Sequence, residues 1–245
     1  MPIRFEVNKL LMAAPPQRDR DELLDRGSGS LAEVRKSLHD IRRYNRCFGG
    51  AAFIHQQVWE LVERHGLQEA AVLDLGTGDA EIPRDLLREA RRRGVRMRVI
   101  GLDINARHLK IAQSEPGSPR DLHLVRADAF HLPIADSGVD IVVSSLFLHH
   151  FRPPQMRDLL REAGRVARVG GAMNDMVRGY APLWFFRLTR PVLTASYLTR
   201  YDGQASIFRS YTLDEMRDAV REMPEVQVCP LFPYRQGLVW ERPTS

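Results

Sequence analysis

From residue 70 to residue 177, short apolar runs alternate with longer segments of helical periodicity. Each run has the length of a buried strand, and each segment between two runs has the length of a helix. This alternation predicts βαβ units, in which parallel strands are joined by right-handed crossovers. The predicted strands are 70–75, 97–103, 122–128, 139–145 and 170–177, and the predicted helices between them are 82–93, 106–112 and 153–167.

Helices precede this pattern and a hairpin follows it. Helical spacing predicts two N-terminal helices, over 31–48 and 51–65, each ended by glycine. Near the other end, Thr212 and Glu215 have the spacing of a capping box, and two strands are predicted around Pro233.

The predicted fold class is therefore α/β. We expect a doubly wound, Rossmann-like sheet of about seven strands, mostly parallel with an antiparallel C-terminal strand, plus N-terminal helices. The expected parts are an N-terminal helical cap or lid over 1–66 and a second domain over 67–245, which carries a lid insertion at about 178–210.

Composition argues against several classes of protein. The 245 residues are 44% hydrophobic, enough to bury a sizeable core. Basic residues number 36 and acidic residues 31, for a net charge of +5 that is spread along helices, so we expect no nucleic-acid partner. Cys47 and Cys229 fit no metal spacing, and no stretch reaches the roughly 20 apolar residues of a membrane span. We expect a cytoplasmic protein with no membrane span and no metal site.

The segment VLDLGTGDAEIP, residues 72–83, ends the first predicted strand in a glycine turn followed by acids. In a doubly wound sheet, this turn lies at the edge where ligands bind. Gly76 and Gly78 let the backbone approach a ligand, because no Cβ intervenes. A dinucleotide-binding loop requires a third glycine where Glu81 stands, and a P-loop requires a lysine that is missing. We expect Asp79 and Glu81 to repel a pyrophosphate and to favour a ligand with positive charge.

Two more acids end the next two predicted strands. Asp103 follows Gly76 by 27 positions, where an acid can accept hydrogen bonds from both ribose hydroxyls. Asp128 ends the third strand, where an acid can accept a hydrogen bond from the exocyclic amine of adenine. The expected ligand has a ribose, a base and a cationic part but no phosphate chain. S-Adenosylmethionine fits this description.

These stretches resemble the motifs of class I S-adenosylmethionine-dependent methyltransferases. VLDLGTGDAEIP is similar to their first motif, VIGLDINARHLKIA to the second, and RADAFHLPIADSGVDIVVSSLFLHHF to the stretch from the third strand through the fourth. VARVGGAMND resembles the turn before the fifth strand, so the likeness covers about residues 70–178. Ala80 departs from the usual third glycine and Val169 from the usual proline. The group most similar in character methylates quinones, phenols and polyketide-like small molecules.

The resemblance implies a binding role for residues at successive strand ends. Those that would line the methionine part are Asp74, Gly76, Thr77 and Gly78; those at ribose and adenine are Asp103, Ile104, Asp128 and Ala129; and Ser144 would close the loop after the fourth strand.

Methyl transfer requires an acceptor atom held close to the methyl group, and a base when that atom belongs to a hydroxyl. His149 and His150 follow the fourth strand and are the candidates for this base, since imidazole titrates near neutrality. The alternative is that one packs against the sheet and the other caps a loop. Tyr44 and Tyr211 are further candidates for contact with the substrate, with a core or lid role as the alternative.

Two segments are candidates for a lid. In RRYNRCFGG, at the end of an N-terminal helix, Arg46 or Tyr44 is expected to meet the methionine carboxylate, with a solvated helix end as the alternative. Residues 180–201 carry more apolar surface than a connector needs, including Trp184 and Phe185. We expect them to form a substrate wall, the alternatives being a dimer interface and packing against the N-terminal helices.

The resulting expectation is a monomeric or homodimeric methyltransferase whose partner is a small-molecule acceptor. The acceptor is expected to be aromatic or lipid-like (a phenol, quinol or polyketide) and to be methylated on oxygen. One alternative is methylation of RNA or protein, against which the lack of an Asn/Asp-Pro-Pro-Tyr motif counts. Another is a non-catalytic, S-adenosylmethionine-binding regulatory subunit.

Overall fold

The fold is built on a seven-stranded sheet with the strand order β3-β2-β1-β4-β5-β7-β6. The computed structural model describes residues 13–117 and 119–242. The strands are β1 (Glu69–Leu75), β2 (Arg96–Asp103), β3 (Leu122–Arg126), β4 (Val139–Ser145), β5 (Ala167–Met176), β6 (Gln227–Leu231) and β7 (Arg235–Glu241).

The pairing of the strands confirms the predicted fold class. Strands β1 to β5 are paired in parallel, β7 runs antiparallel to β5, and β6 runs antiparallel to β7. The strand order reverses between β1 and β4, as in a doubly wound sheet. Because the parallel strands end at one edge, the loops after β1, β2, β3 and β4 meet there.

Both faces of the sheet are covered by helices. One apolar core joins the sheet to α2 and α3, and a second joins it to α5 and α8. The helices are α1 (Leu31–Cys47), α2 (Gly50–Arg64), α3 (Glu81–Arg93), α4 (Ala106–Ser114), α5 (Pro153–Val166), α6 (Tyr180–Leu193), α7 (Tyr197–Arg209) and α8 (Leu213–Ala219), with a short 3₁₀ helix at Leu148–His150.

The N-terminal part packs in two different ways. Helix α2 shares the core of the sheet through Ile54 and Val58, which are fully buried. Helix α1 lies away from the sheet, and Val34 and Leu38 pack with Ile111 of α4 and Leu198 of α7. The boundary at residue 66 stays a prediction, and α1 with the segment before it is the part that lies over the carboxyl edge of the sheet.

Local chemistry explains where several elements begin and end. The predicted capping box is present, because Thr212 Oγ1 accepts from the Glu215 backbone N–H at 3.2 Å while Glu215 Oε2 accepts from the Thr212 N–H at 2.8 Å. Strand β3 ends at Arg126, two residues earlier than predicted, since Asp128 Oδ1 accepts from the Phe130 N–H at 3.0 Å and turns the chain.

The predicted insertion at 178–210 consists of two helices, α6 and α7. Helix α7 also holds in place the segment before α1, residues 13–30, which we call the N-terminal segment. Asp202 of α7 accepts from the backbone N–H groups of Leu23 at 2.7 Å and Leu24 at 3.0 Å. Within the described residues, no helix has both the length and the apolar character needed to cross a bilayer.

Candidate active site

A cavity of about 800 Å³ lies at the carboxyl edge of the sheet, under α1, α6, α7 and the N-terminal segment. Its wall is mostly apolar, with polar groups concentrated at a few positions. This combination is typical of a site for a small organic ligand. The apolar side chains in the wall include Leu38, Ile41, Phe48, Phe147, Phe151, Phe185 and Phe186.

The loop after β1 brings backbone to the cavity surface. Gly76 and Gly78 both adopt positive φ, 68° and 57°, and both line the cavity. A Cβ on Gly76 would lie 2.7 Å from Cδ2 of Phe147, so only glycine fits beneath this ring. Ala80, the departure from the usual glycine, also adopts a positive φ of 58°.

Three of the predicted cofactor residues support this loop from behind the cavity wall. Asp74 accepts from the Thr77 hydroxyl at 2.7 Å, and Ser144 Oγ donates to the Leu75 carbonyl at 2.7 Å. Burial raises the pKa of Asp74 to about 7. Asp74, Thr77 and Ser144 do not line the cavity but hold its loops in place, and the binding roles that the resemblance implies for them stay predictions.

Asp103 presents an ordered carboxylate at the end of β2. Its oxygens accept from the backbone N–H of Gly78 at 3.0 Å and of Asn105 at 2.8 Å, and lie 3.2 Å from Nδ1 of His108. The side chain is buried, and the residue lines the cavity. Beside it, Ile104 is 65% exposed and offers an apolar face at the rim of the cavity.

The end of β3 adds the remaining predicted adenine contacts. Asp128 and the buried Ala129 both line the cavity, next to Phe130. The structure therefore brings Gly76, Gly78, Asp103 and Asp128 together along one edge of the sheet.

A cluster of two histidines and three acids forms another polar part of the site. His149 is 3% exposed, with Nδ1 2.8 Å from Asp175 Oδ1 and Nε2 3.2 Å from Glu22 Oε1. His150 is 20% exposed, and its Nδ1 lies 3.1 Å from Asp25 Oδ2. The two rings lie 4.2 Å apart between centroids.

The two acids around His149 hold it in its charged form. Burial alone disfavours the imidazolium, but Asp175 and Glu22 outweigh burial and raise the pKa of His149 to about 10. In return, His149 lowers the pKa of both Glu22 and Asp175 against the effect of their burial. At neutral pH, His149 is therefore a cation between two carboxylates, and it is not free to accept a proton.

Comparison with known proteins agrees with this geometry. Residues 72–171 match the family described as a methyltransferase domain. A solved S-adenosylmethionine-dependent methyltransferase from Aquifex aeolicus superposes with a TM-score of 0.56 at 18% identity, over 87% of this chain and 99% of that one. Over residues 72–171 the chain is thus similar to a methyltransferase domain, and its fold is that of the Aquifex aeolicus structure.

Two curated relatives are similar to this chain in sequence. Malonyl-(acyl-carrier protein) O-methyltransferase of Marinomonas sp. is 36% identical over 124 residues, which are 48% of this chain and 44% of that protein. Demethylmenaquinone methyltransferase of Staphylococcus haemolyticus is 26% identical over 132 residues, 53% of each chain. The chain thus spans about half the length of these relatives.

The acids that follow the glycine loop of the methyltransferase domain do not face the ligand. Asp79 and Glu81 are buried outside the cavity wall, where Asp79 lies 3.5 Å from Arg42 and Glu81 pairs with Arg46. Burial raises the pKa of Glu81 to about 7. The expectation that these acids select a cationic ligand was wrong, because arginines of α1 occupy them. Arg46, held by Glu81 and by Asp85 at 2.8 Å, is likewise not directed at a cofactor carboxylate.

The predicted substrate residues divide into two groups. Tyr44 and Phe185 line the cavity, and Tyr44 Oη lies 3.1 Å from Thr189 Oγ1. Tyr211 is buried outside it and donates to the Phe151 carbonyl at 2.6 Å, so it has a packing role. Trp184 is 64% exposed and does not line the cavity. The placement therefore supports a substrate contact for Tyr44 and Phe185, whereas the contact expected of Tyr211 and Trp184 stays a prediction.

Glu22 and Asp25, which lie before the first predicted helix, were not predicted as site residues. Their sequence signal is weak: Leu23 and Leu24 form an apolar pair in an acidic stretch, and Leu24 is buried in the structure. Glu22, His149 and His150 also offer donor atoms within 4.8 Å of one another, although no metal site was predicted. The acids paired with both histidines account for this cluster without an ion.

The contrast between Phe185 and Trp184 gives a matched pair of variants. Phe185 lines the cavity and contacts the rings of Phe48 and Tyr234, with centroids 4.8 and 5.4 Å away. We expect Phe185→Ala to raise the acceptor KM about tenfold or more, since a buried phenylalanine contributes about 1.5–3 kcal/mol. Trp184→Ala should leave KM within about twofold. Equal effects of the two variants in steady-state kinetics would contradict this placement.

The charged cluster predicts a pH-dependent contribution to stability. The pKa of His149 rises from about 6.5 in the unfolded chain to about 10, so its stabilisation is full below pH 6.5 and is lost as the pH rises toward 10. We expect the free energy of unfolding, relative to a Glu22→Gln, His149→Gln, Asp175→Asn variant, to be larger at pH 6 than at pH 10. Denaturant titrations at both pH values measure it. A constant difference between the two proteins would contradict the charge assignment.

Proposed function

We propose that this domain transfers a methyl group from S-adenosylmethionine to an oxygen atom of a small acceptor with an apolar body. The observation that carries the proposal is the cavity itself, which connects the ordered carboxylate of Asp103 to the histidines after β4 through an apolar wall. A cofactor site and an acceptor site can therefore lie within one continuous cavity.

The residues at the β1 and β2 ends fit S-adenosylmethionine. Asp103 is positioned by two backbone N–H groups to accept from ribose hydroxyls, and Ile104 exposes an apolar surface on which adenine can pack. Gly76 and Gly78 leave room for the methionine part beside the loop. When bound, this cofactor supplies a methyl group already activated on a sulfonium.

The apolar wall supports a small acceptor of aromatic or lipid-like character. The N-terminal segment and the α6–α7 insertion cover the cavity, so the acceptor is expected to be a molecule that fits under them rather than a folded RNA or protein. The names of the two relatives, a malonyl-(acyl-carrier protein) O-methyltransferase and a demethylmenaquinone methyltransferase, support an acceptor with an acyl or quinone group.

His150 is the better of the two candidates for the general base. Both ring nitrogens of His149 face carboxylates, whereas in His150 only Nδ1 does. Asp25 orients the His150 ring, and its side chain remains 48% exposed, so a proton accepted by His150 has a route to solvent. His149, held as a cation, would position the His150 ring stacked on it.

The proposal is tested by measuring release of S-adenosylhomocysteine from the purified protein with a panel of phenols, quinols and polyketides. We expect release with at least one acceptor and none with the Asp103→Ala variant at the same cofactor concentration. Saturable binding of S-adenosylmethionine without release on any acceptor would favour the regulatory-subunit alternative instead.

A further inference from the structure

Arg235 is a buried guanidinium that forms no salt bridge with any residue that the structure describes. It is the first residue of β7, is 4% exposed, and lines the cavity. Its Nη1 donates to Asn174 Oδ1 at 2.8 Å, and no carboxylate among the described residues lies within 4.0 Å of it. Burying a charge without a counter-charge is costly, so such a residue calls for a reason.

A second buried arginine shows what a structural role looks like in this chain. Arg178 is 5% exposed, and its guanidinium donates to the Ser210 and Pro15 carbonyls and pairs with Glu215. The guanidinium of Arg178 thus donates to three protein groups. The guanidinium of Arg235 donates to one, Asn174, and Arg235 lines the cavity. Burial lowers the pKa of Arg235 to about 10, although the charge of Asp175 acts in the opposite direction.

The surroundings hold Arg235 in one position. Asn174 is fully buried, and its Nδ2 donates to the Gly50 carbonyl at 3.1 Å, while Ser145 Oγ lies 3.2 Å from its Oδ1. A Cβ on Gly50 would lie 2.4 Å from the Arg235 guanidinium, so glycine is required where α2 begins. A guanidinium that is fixed in this way and open on one side is suited to bind a carboxylate through charge-assisted hydrogen bonds.

The topology places Arg235 at the acceptor end of the cavity. Strand β7 lies three strand positions from β1, or roughly 14 Å, and one further from β2, which carries Asp103. Around Arg235, the cavity wall is formed by Phe48, Phe185 and Tyr234. This end therefore combines one fixed cation with aromatic surface.

Resting on the proposed function, we propose that Arg235 binds a carboxylate of the acceptor, which makes the preferred acceptor an apolar molecule with an acid group. Asn174 and Gly50 position the guanidinium, and the aromatic wall holds the apolar body. A neutral phenol or quinol lacks the group that Arg235 recognises and binds less tightly.

Binding of two matched probes to the protein loaded with S-adenosylhomocysteine tests this without turnover. The probes are 2-naphthoate and the neutral 2-naphthamide, and calorimetry gives the ratio of their affinities. We expect the wild type to prefer the carboxylate at least about tenfold. Arg235→Met should remove this preference, and Arg235→Lys should keep part of it. Asn174→Asp should also remove the preference for the carboxylate. This substitution keeps the guanidinium of Arg235 but places a protein carboxylate beside it.

The outcomes separate this proposal from its rivals. The absence of a preference in the wild type, or its persistence in both Arg235→Met and Asn174→Asp, would overturn it. If these variants instead weaken S-adenosylmethionine binding by the same factor, Arg235 holds the carboxylate of the cofactor and the acceptor assignment is wrong. A preserved preference in a protein that methylates no acceptor would keep the Arg235 site and overturn the proposed function alone. Thermal unfolding confirms that each variant is folded.

Discussion

Replacing Asp103 with alanine is expected to weaken S-adenosylmethionine binding by about 1.5–3 kcal/mol, a ten- to 150-fold increase in Kd. The reason is the loss of hydrogen bonds to a charged acceptor that the Gly78 and Asn105 N–H groups hold in place. Isothermal titration calorimetry measures the change.

Asp121→Ala is the matched control for Asp103→Ala. It removes the same charge from an exposed residue just before β3, 3.8 Å from Arg91, and should leave the Kd unchanged. Because Asp103 also holds the chain around Gly78, circular dichroism must show that the variant is folded. Equal affinity of Asp103→Ala and wild type would rule out the ribose assignment.

Replacing His150 with alanine is expected to lower kcat by roughly 10²–10⁴-fold while the Kd for S-adenosylmethionine stays the same. His150 is the histidine of the cluster with a nitrogen left for the acceptor, and Asp25→Asn should lower kcat less because it only loosens the ring. Single-turnover and steady-state rates, with whichever acceptor the panel identifies, measure both variants.

His123→Ala, an exposed histidine on β3 outside the cavity, serves as the control and should keep full activity. A His150→Ala variant with most of its activity would leave that residue a packing role. If His149→Ala, in a folded protein, alone abolished kcat, the base would be His149, released from Glu22 when the acceptor binds.

The fold was predictable because its signals are local. Strand β1 is an apolar run that ends at a glycine, and the box formed by Thr212 and Glu215 is complete within four residues of sequence. The alternation of strands and helices then predicts the topology, since neighbouring parallel strands must be joined by crossover connections. The positions of Asp103 and Asp128 at the cavity follow from the same rule.

The partners of the histidines could not be read from the sequence. Asp175 lies on the neighbouring strand β5, and Glu22 reaches His149 only because Asp202 of α7 fixes the segment before α1.

Which of two adjacent residues faces the cavity also depends on how α6 packs. Phe185 and Trp184 are equally apolar in sequence, and only the contacts of Phe185 with Phe48 and Tyr234 decide between them.

The burial of a charged residue such as Arg235 also could not be predicted from the sequence. In the sequence it is one arginine among many in a hairpin, and its burial depends on Gly50 and Asn174, which come from two other elements. Likewise, the sequence does not show that arginines of α1 pair with Asp79 and Glu81, which were predicted to select the ligand.

Calorimetric titration of the wild-type protein shows whether this cavity binds S-adenosylmethionine. S-Adenosylmethionine and NADH are titrated under identical conditions into the purified chain. We predict saturable binding of S-adenosylmethionine at one site per chain and no measurable binding of NADH. Saturable binding of NADH, or no binding of S-adenosylmethionine to the folded protein, would mean that the cavity is not an S-adenosylmethionine site.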